Sequence, residues 1–529
     1  MNAESNLETD LTDIFLKKYK NKKYAEKGKY TNEEKIKNFT DKNKDSKSKS
    51  KVTKVPTKIP TKTHKTRSKK HKCKIGPMGP MGPRGASNLT EIFVNASTYS
   101  LPYPTNNQVL EIIKTSSSTW SGFNNFGLDG FVTCIVEFQS VLYVGGNFRK
   151  TADGSVTNLN NIAKYDPNAS NGKGQWYPLA NDGLNGVVNC IHILNNVLYV
   201  GGEFNATSDN SLTTLNHIAK YDPNANSGNG QWYALAHDGL NNIVNSIINV
   251  NDILYVGGKF DKSSDQSVSN LNCVAKYDTT NSGSWSTTNC QLDSDNDYVN
   301  TLCYDSVNTL LYAGGEFSVN GSYNIIKYNG TAWSSLANGG LYGQVICIAL
   351  SSGNLFVGGY FSKTYDPPIQ LNHIARYYNE SWHSLANNGL NNIVRTIVPV
   401  ANSNTIWIGG DFSSTYDYST LINLNLIAKY NTNDDSWVSP ANQGILNETG
   451  GGSYSNVRAV LPISNIVYIG GEIIHKTADL LFKNFNDIVQ YNTSNVLTVN
   501  YNNTPLTTLG LFGESVKLFS NNGTWNIIL

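Results

Sequence analysis

Arginine is scarce in most of this chain: after Gly85 only Arg149, Arg376, Arg395 and Arg458 occur. Two of these stand at matching places in similar apolar stretches, "NIVRTIVPV" (Arg395) and "SNVRAVLPI" (Arg458). Guanidinium groups held side by side present forked N–H donors that fit a carboxylate or a sulfate. On a water-filled wall the same two groups would need no ligand, so both readings stay open. Asn189, Asn245 and Asn300 take the corresponding place in three other stretches. A second polar set lies in "ANDGLN" and "AHDGLN": Asp182, His237 and Asp238, with Asn387 and Asn388 in "ANNGLN". These are candidate binding groups on a loop surface, although Asn-Asp-Gly runs also form turns for purely conformational reasons.

Other chemistry is thinly represented. The run "DSDNDY" (293–298) alternates Asp as a calcium loop does, but Tyr298 stands where glycine is required and the distal Glu is missing. The seven cysteines, Cys73, Cys134, Cys190, Cys273, Cys290, Cys303 and Cys347, contain no CxxC pair and no zinc spacing with the eight histidines. They read as reduced, mostly buried thiols. No cofactor or metal is expected.

The elements that position these residues repeat. Double glycines occur at Gly145-Gly146, Gly201-Gly202, Gly257-Gly258, Gly314-Gly315, Gly358-Gly359, Gly409-Gly410 and Gly470-Gly471, each closing an apolar strand such as "LYVGG". A second marker is Trp120, Trp176, Trp232, Trp285, Trp333, Trp382 and Trp437. Seven residues after six of them stands a glycine; after Trp285 it is Leu292. The unit Val187–Asn241 parses into four short strands, a to d, separated by Asn, Gly and Pro turns. Seven units of four strands predict an all-β, seven-bladed propeller whose blades stack around an axis because none can bury its sheet faces alone. Paired glycines remove side chains where a neighbouring chain must come close.

The order apolar strand, Gly-Gly, Tyr, Trp resembles the kelch-type repeat of the galactose-oxidase class of propellers. The fourth unit matches best, with 13 residues from Gly315 to Tyr328 and 5 from Tyr328 to Trp333; the others carry insertions, such as 19 residues from Gly146 to Tyr165. The Gly-His and Trp-Asp pairs of WD repeats are missing. Trp120 has its glycine but no preceding Gly-Gly strand, while "IVYIGGE" and "DIVQYN" lack a following tryptophan. The strand near Trp120 is therefore expected to complete the seventh blade and remove an open edge. The propeller spans 119–494, after a β-rich lead-in (86–118) and before a C-terminal β extension or degenerate blade (495–529). A sialidase-like propeller would need an arginine triad, and a copper oxidase a Tyr/His/Cys ligand set; neither is readable.

The first 85 residues hold 24 Lys and Arg against 9 Asp and Glu, a balance of +15; the remainder carries 18 against 31, a balance of −13. Residues 1–75 are too poor in apolar side chains to offset chain entropy and read as a disordered basic arm. The arm suits an anionic partner such as nucleic acid, or serves as a solvated tether. "GPMGPMGPRG" (76–85) is a collagen-like Gly-X-Y stub, a short trimerising neck or a polyproline-II spacer. No 18-residue apolar run and no conventional signal peptide is present. The arm, the collagen piece and the Asn/Lys/Ile/Tyr-rich β region together resemble proteins of mimivirus-type giant viruses, whose collagen-like proteins are associated with particle surface fibrils. That resemblance implies a virion location, with an intracellular one as the alternative. The functional expectation is a non-enzymatic binding or structural module that meets a protein or glycan through its loop face. A polysaccharide-active enzyme and an intracellular kelch-like adaptor with a nucleic-acid-binding arm are the alternatives.

Overall fold

The computed structural model describes residues 120–493, except 281–282, 293–295, 418–421, 447–454, 473–475 and 478–484, together with the strands Val109–Thr115, Val496–Tyr501, Thr504–Gly510, Val516–Asn521 and Thr524–Ile528. The basic arm, the Gly-X-Y stub and half of the "DSDNDY" run lie outside the described residues.

Seven four-stranded antiparallel sheets follow one another along the chain. In blade 1 the strands are a (Val132–Phe138), b (Val141–Gly146), c (Ile162–Asp166) and d (Gln175–Pro178). Strand a of blades 2 to 7 is Val188–Leu194, Val244–Val250, Tyr298–Asp305, Leu341–Ser351, Val394–Pro399 and Asn456–Ile463. Each strand a packs on strand a of the next blade, and Asn456–Ile463 packs on Val132–Phe138, so the ring is closed. Blade 7 takes its outermost strand from the N-terminal side: Trp120–Gly122 pairs with Ile488–Asn492. Val109–Thr115 is the middle strand of a separate five-stranded sheet, flanked by Val496–Tyr501 and Val516–Asn521. The ring is complete without Val496–Ile528.

The paired glycines have two different duties. A Cβ on the first of each pair would lie 2.4–2.8 Å from Cγ1 of the first buried valine of the next blade: Val188, Val244, Val299, Val345, Val394, Val457 and finally Val132. Seven valines thus fill seven glycine holes around the ring. A Cβ on the second glycine of the first six pairs would fall 2.0–2.2 Å from a carbonyl oxygen just ahead of the valine in the same blade, for example that of Phe131 at Gly146. Neither place admits a side chain. The small side chains behind the first glycines include Cys134, Cys190 and Cys347, whose Sγ atoms would be 2.7–2.8 Å from the added carbon. Burial pushes the Cys134 thiol up to about 12, as expected of an inert packing cysteine.

The tryptophans tie the outer edges together. Each indole lies 4.6–4.9 Å from the strand-c tyrosine of its own blade, centroid to centroid. Each Nε1–H donates to a carbonyl between strand d of the preceding blade and strand a of its own, at 2.9–3.2 Å. Trp120 does the same work in blade 7 as Trp176 does in blade 1: it packs on Tyr491 and donates to Ala441. Sequence separation is irrelevant to the clamp; only the position after the d-strand turn matters.

Candidate functional site

Strand a of every blade carries a β-bulge, at its second or third residue in six blades and at the sixth residue of the longer strand of blade 5. The register jumps across Thr133, Asn189, Asn245, Asn300, Ile346, Arg395 and Arg458, so two residues oppose one on strand b. A bulge re-aims the extra side chain out of the sheet's normal alternation. Here it produces one column around the channel mouth, on the face where the b–c and d–a connections lie.

In the first four blades this column is a belt between blades. Thr133 Oγ1 donates to the Val188 carbonyl at 2.5 Å, Asn189 Nδ2 to that of Val244 at 3.2 Å, Asn245 Nδ2 to that of Val299 at 3.0 Å, and Asn300 Nδ2 to that of Val345 at 2.8 Å. Strand a is the inner edge of each sheet, and the amide or hydroxyl of the preceding blade gives each of these valine carbonyls a donor. Ile346 breaks the belt in blade 5, because it has nothing to donate.

Arg395 and Arg458 continue the column differently. Arg395 makes a forked pair with Asp411, Nε to Oδ1 at 2.5 Å and Nη2 to Oδ2 at 2.8 Å, and the Asp411 side chain is only 9% exposed. Arg458 pairs with Glu472, donates from Nε to Asn456 Oδ1 at 2.8 Å, and stacks 4.5 Å above the Phe131 ring of blade 1. Burial holds the Arg458 guanidinium below the usual arginine range; the nearby Arg395 charge adds to this and Glu472 opposes it. The two arginines are neighbours, but each already has a carboxylate in its own blade.

These carboxylates belong to a column that sequence reasoning missed, the residue directly after each Gly-Gly: Asn147, Glu203, Lys259, Glu316, Tyr360, Asp411 and Glu472. The signal was available, since the glycine pair fixes its place at the top of strand b. Across blades 4 and 5 it joins a short relay: Gln344 Nε2 donates to Tyr298 Oη at 2.8 Å, and Tyr298 donates to Glu316 at 3.0 Å.

Asp182, His237 and Asp238 sit on d–a turns of the same face, one blade apart, and are not brought together. Their turns latch one blade to the next. Asn125, Asn181 and His237 occupy equivalent sites and reach a Thr/Ser-x-Asp-x-Ser loop in the following blade. Asn125 Nδ2 meets Asp153 at 3.2 Å and Ser155 at 2.7 Å; Asn181 Nδ2 meets Asp209 and Ser211 at the same distances. In blade 3, His237 Nδ1 contacts Asp265 Oδ2 at 3.0 Å and Ser267 Oγ at 2.6 Å. Serine and carboxylate share one ring nitrogen, so the imidazole does not stand between them as a proton relay requires. Hydrogen bonds from Ser155, Ser211 and Ser267 hold the three carboxylates well below the usual aspartate range. The main-chain oxygens of Asp182 and Asp238 accept from Asn160 and Asn216 at 2.7 and 2.8 Å.

What varies on this face is aromatic content. In five blades the residue after a fully buried Thr or Ser (Thr151, Thr207, Ser263, Thr364, Thr415) donates its N–H to the turn glycine of the preceding blade: Ala152, Ser208 and Ser264 in blades 1–3, Tyr365 and Tyr416 in blades 5 and 6. The Tyr365 and Tyr416 side chains are 40% and 42% exposed. Blade 5 also extends its a–b hairpin to Leu341–Ser351 and Asn354–Thr364, which adds Tyr342 (41% exposed) to the rim that Tyr360 (47%) already occupies. Tyr323 of blade 4 stacks on Tyr365 at 3.6 Å. Between blades 1 and 2 the face instead holds a polar cleft of about 490 Å³, lined by Asn147, Arg149, Asn160, Asn185 and Glu203 among others. Among the described residues no group of three or more His, Cys, Asp or Glu is placed to hold a metal ion, and no helix is long and apolar enough to cross a membrane.

No family model matches the chain, and no curated protein matches it. Among solved structures it is similar to the computationally designed protein Ika8, at 12% identity and a TM-score of 0.40, over 70% of this chain and 98% of that one. The WD40 β-propeller domain of Doa1 is similar at 11% identity and a TM-score of 0.39, over 72% of this chain and 96% of that one. The extracellular domain of the one component system BT4673 from B. thetaiotaomicron is similar at 13% identity and a TM-score of 0.42; 76% of this chain covers 45% of that one, so the match spans less than half its length. The seven-bladed assignment rests on the sheet topology itself.

Proposed function

We propose that the chain is a non-enzymatic binding module that engages a protein or glycan through the loop face of blades 4–7. One observation carries this reading. All seven blades share the valine–glycine and tryptophan contacts, yet exposed Tyr342, Tyr360, Tyr365 and Tyr416 and the paired Arg395 and Arg458 all stand on blades 5–7. Tyrosine and arginine have entered the positions that scaffolding leaves free on one side only, and loops on a rigid scaffold are where binding groups concentrate. Propellers do bind partners there, and Tyr and Arg are the side chains favoured at binding hot spots.

The test is an array carrying both proteins and glycans, probed with the full-length chain. Hits should fall away when Tyr365 and Tyr416 are changed to Ser, the residue blades 2 and 3 hold, and should persist in Val307→Ser on the opposite face. Hits indifferent to both changes overturn the reading. Recovered ligand should be chemically intact; cleavage products would favour the polysaccharide-active alternative.

The same reading places the chain on a virus particle, with residues 1–75 as anchor and 76–85 as neck. The opposed charge balances and the Gly-X-Y triplets support it. Mass spectrometry of purified particles should recover the chain in quantity. Abundance in infected cells with absence from particles would overturn the placement and leave the binding reading intact.

A further inference from the structure

The channel mouth is not uniform, and its odd place is blade 5. In every blade two side chains face the mouth, the bulge residue of strand a and the residue after Gly-Gly on strand b. In blades 1–4 these are Thr133 with Asn147, Asn189 with Glu203, Asn245 with Lys259, and Asn300 with Glu316; in blades 6 and 7 they are Arg395 with Asp411 and Arg458 with Glu472. Only blade 5 offers an apolar pair, Ile346 with Tyr360, and the Tyr360 ring is 47% exposed.

That ring has a built surround. Gln344 sits directly across the strand pair from Tyr360, and its amide is held by Tyr298 at 2.8 Å. His373 lies 5.8 Å from Tyr360, ring to ring and 31° from parallel, with Nδ1 against the Gly359 carbonyl at 3.3 Å. Blade 6 is pressed against this spot, because Val394 fills the hole at Gly358 and the next residue is Arg395. His373 also feels the Asp411 charge. Tyr360, Gln344 and His373 of blade 5 are thus grouped at this part of the mouth, with the Arg395–Asp411 pair on the adjoining blade and close enough for His373 to feel its carboxylate.

We infer that this point is a subsite for a neutral hexopyranose unit, stacked on Tyr360 with its hydroxyls on Gln344 and the Arg395–Asp411 pair. The inference rests on the binding reading above and names its ligand class. The charge state of the site selects the class. Arg395 and Asp411 are joined by two hydrogen bonds, so the pair itself carries no net charge to attract an anion or a cation. A guanidinium has five N–H groups and a carboxylate about four lone-pair sites, so each keeps roughly half its capacity after the fork. Donors and acceptors in alternation, beside the face of an exposed ring, match vicinal hydroxyls around an apolar C–H face. A polypeptide anchor would need an apolar pocket to fill, and Ile346 with one ring makes a ledge instead.

The experiment uses the full-length chain on an array of neutral glucose, galactose, mannose and N-acetylglucosamine oligosaccharides, with sulfated glycans and proteins printed alongside. The best neutral oligosaccharide is then titrated by calorimetry. Binding should weaken about tenfold or more in Tyr360→Ala, stay within about threefold in Tyr360→Phe, which keeps the ring, and be unchanged in Val307→Ser. Unaltered melting of Tyr360→Phe shows that the fold is intact. Neutral-sugar binding that survives Tyr360→Ala, or is lost equally in Tyr360→Phe, overturns the stacking subsite while the binding reading stands. Hits confined to sulfated glycans or proteins also overturn the subsite alone. Absence of every hit overturns both.

Discussion

Blades 1 to 3 and blades 5 to 7 are built on the same contacts and finished differently. In both groups a valine enters the glycine hole of the preceding blade, and a tryptophan packs on its own tyrosine and bonds to the preceding turn. In blades 1–3 the mouth residues Thr133 and Asn189 and Asn245 bridge to the next blade, and the loop tips are Ala152, Ser208 and Ser264. In blades 5–7 the bridging residues are replaced by Ile346, Arg395 and Arg458, and the described loop tips by Tyr365 and Tyr416. A repeat therefore separates two kinds of position: those that every blade needs in order to stack, and those that a few blades could give up. The first kind predicts stability effects that are the same all round the ring, the second predicts effects confined to one side.

The largest effect should come from removing the strand that closes blade 7. Deleting residues 1–85 should leave a cooperative melt, whereas extending the deletion through Gly127 should abolish it, since that cut takes away the ladder partner of Ile488–Asn492. The point variant Trp120→Ala should cost about 3–5 kcal/mol, a large part of a typical stability of about 5–15 kcal/mol, and should match Trp176→Ala. If the ends of the chain are not equivalent to its middle, Trp120→Ala will be much milder than Trp176→Ala in chemical denaturation. Trimming Gly523–Leu529 should barely move the melt of the ring.

Next come the glycine holes. Gly201→Ala places a carbon 2.4 Å from Val244 Cγ1, and Gly409→Ala does the same against Val457. Overpacking of this kind costs about 1–3 kcal/mol, and the loss should be equal in the two halves. Pairing Gly201→Ala with Val244→Ala should recover part of it, because the clash partner is gone; a strictly additive double variant would show that the contact is not what limits stability. Gly228→Ala is the control: its φ is 89° but nothing lies within 4 Å, so only the local left-handed strain is felt.

How much of this was readable beforehand depends on whether a residue's partner is local in the repeat. The seven blades, their strands and the closing role of Trp120 follow from periodic markers, because glycine, tyrosine and tryptophan recur wherever the same contact recurs. The polar column through Asn189, Asn245, Asn300, Arg395 and Arg458 was also visible by alignment. Its meaning was not, since a bulge shows only in the pairing register, and the acceptors of its asparagines are carbonyls of the next blade 45–55 residues away. The carboxylates Asp411 and Glu472 meet Arg395 and Arg458 only across the a–b strand pair, 16 and 14 residues along the chain, which no local pattern displays. His237 belongs by residue type to a polar loop set, but in position it is a third Asn125.

A smaller effect should separate the two kinds of mouth residue. Asn300→Ala leaves the Val345 carbonyl without its donor, which costs about 1 kcal/mol. Arg395→Ala strands the Asp411 carboxylate, largely covered by its surroundings, and should cost about 1–3 kcal/mol. Arg395→Ala combined with Asp411→Asn should be milder than Arg395→Ala alone, because no buried charge remains. Denaturant midpoints decide the order. A double variant worse than the single one would mean that Asp411 has another partner of equal weight.

The smallest effect concerns pH, and it should not respect the division between blades. Burial pulls His192, His217 and His373 below the usual histidine range, in blades 2, 2 and 5. A lowered folded-state value means that the unfolded chain binds a proton first as pH falls. Stability is then complete above the unfolded value of about 6.5 and declines as pH drops below it. The loop carboxylates of Asp153, Asp209 and Asp265 act at the other end of the scale. Their folded values are depressed, so their contribution holds down to about pH 4, the unfolded aspartate value, and is lost below it. Melting temperature should therefore step down twice on acidification, gently between about pH 6.5 and 5 and again below about pH 4. His373→Asn should flatten the first step and leave the second unchanged. If the first step persists undiminished in a chain carrying Asn at His192, His217 and His373 together, buried imidazole is not its source.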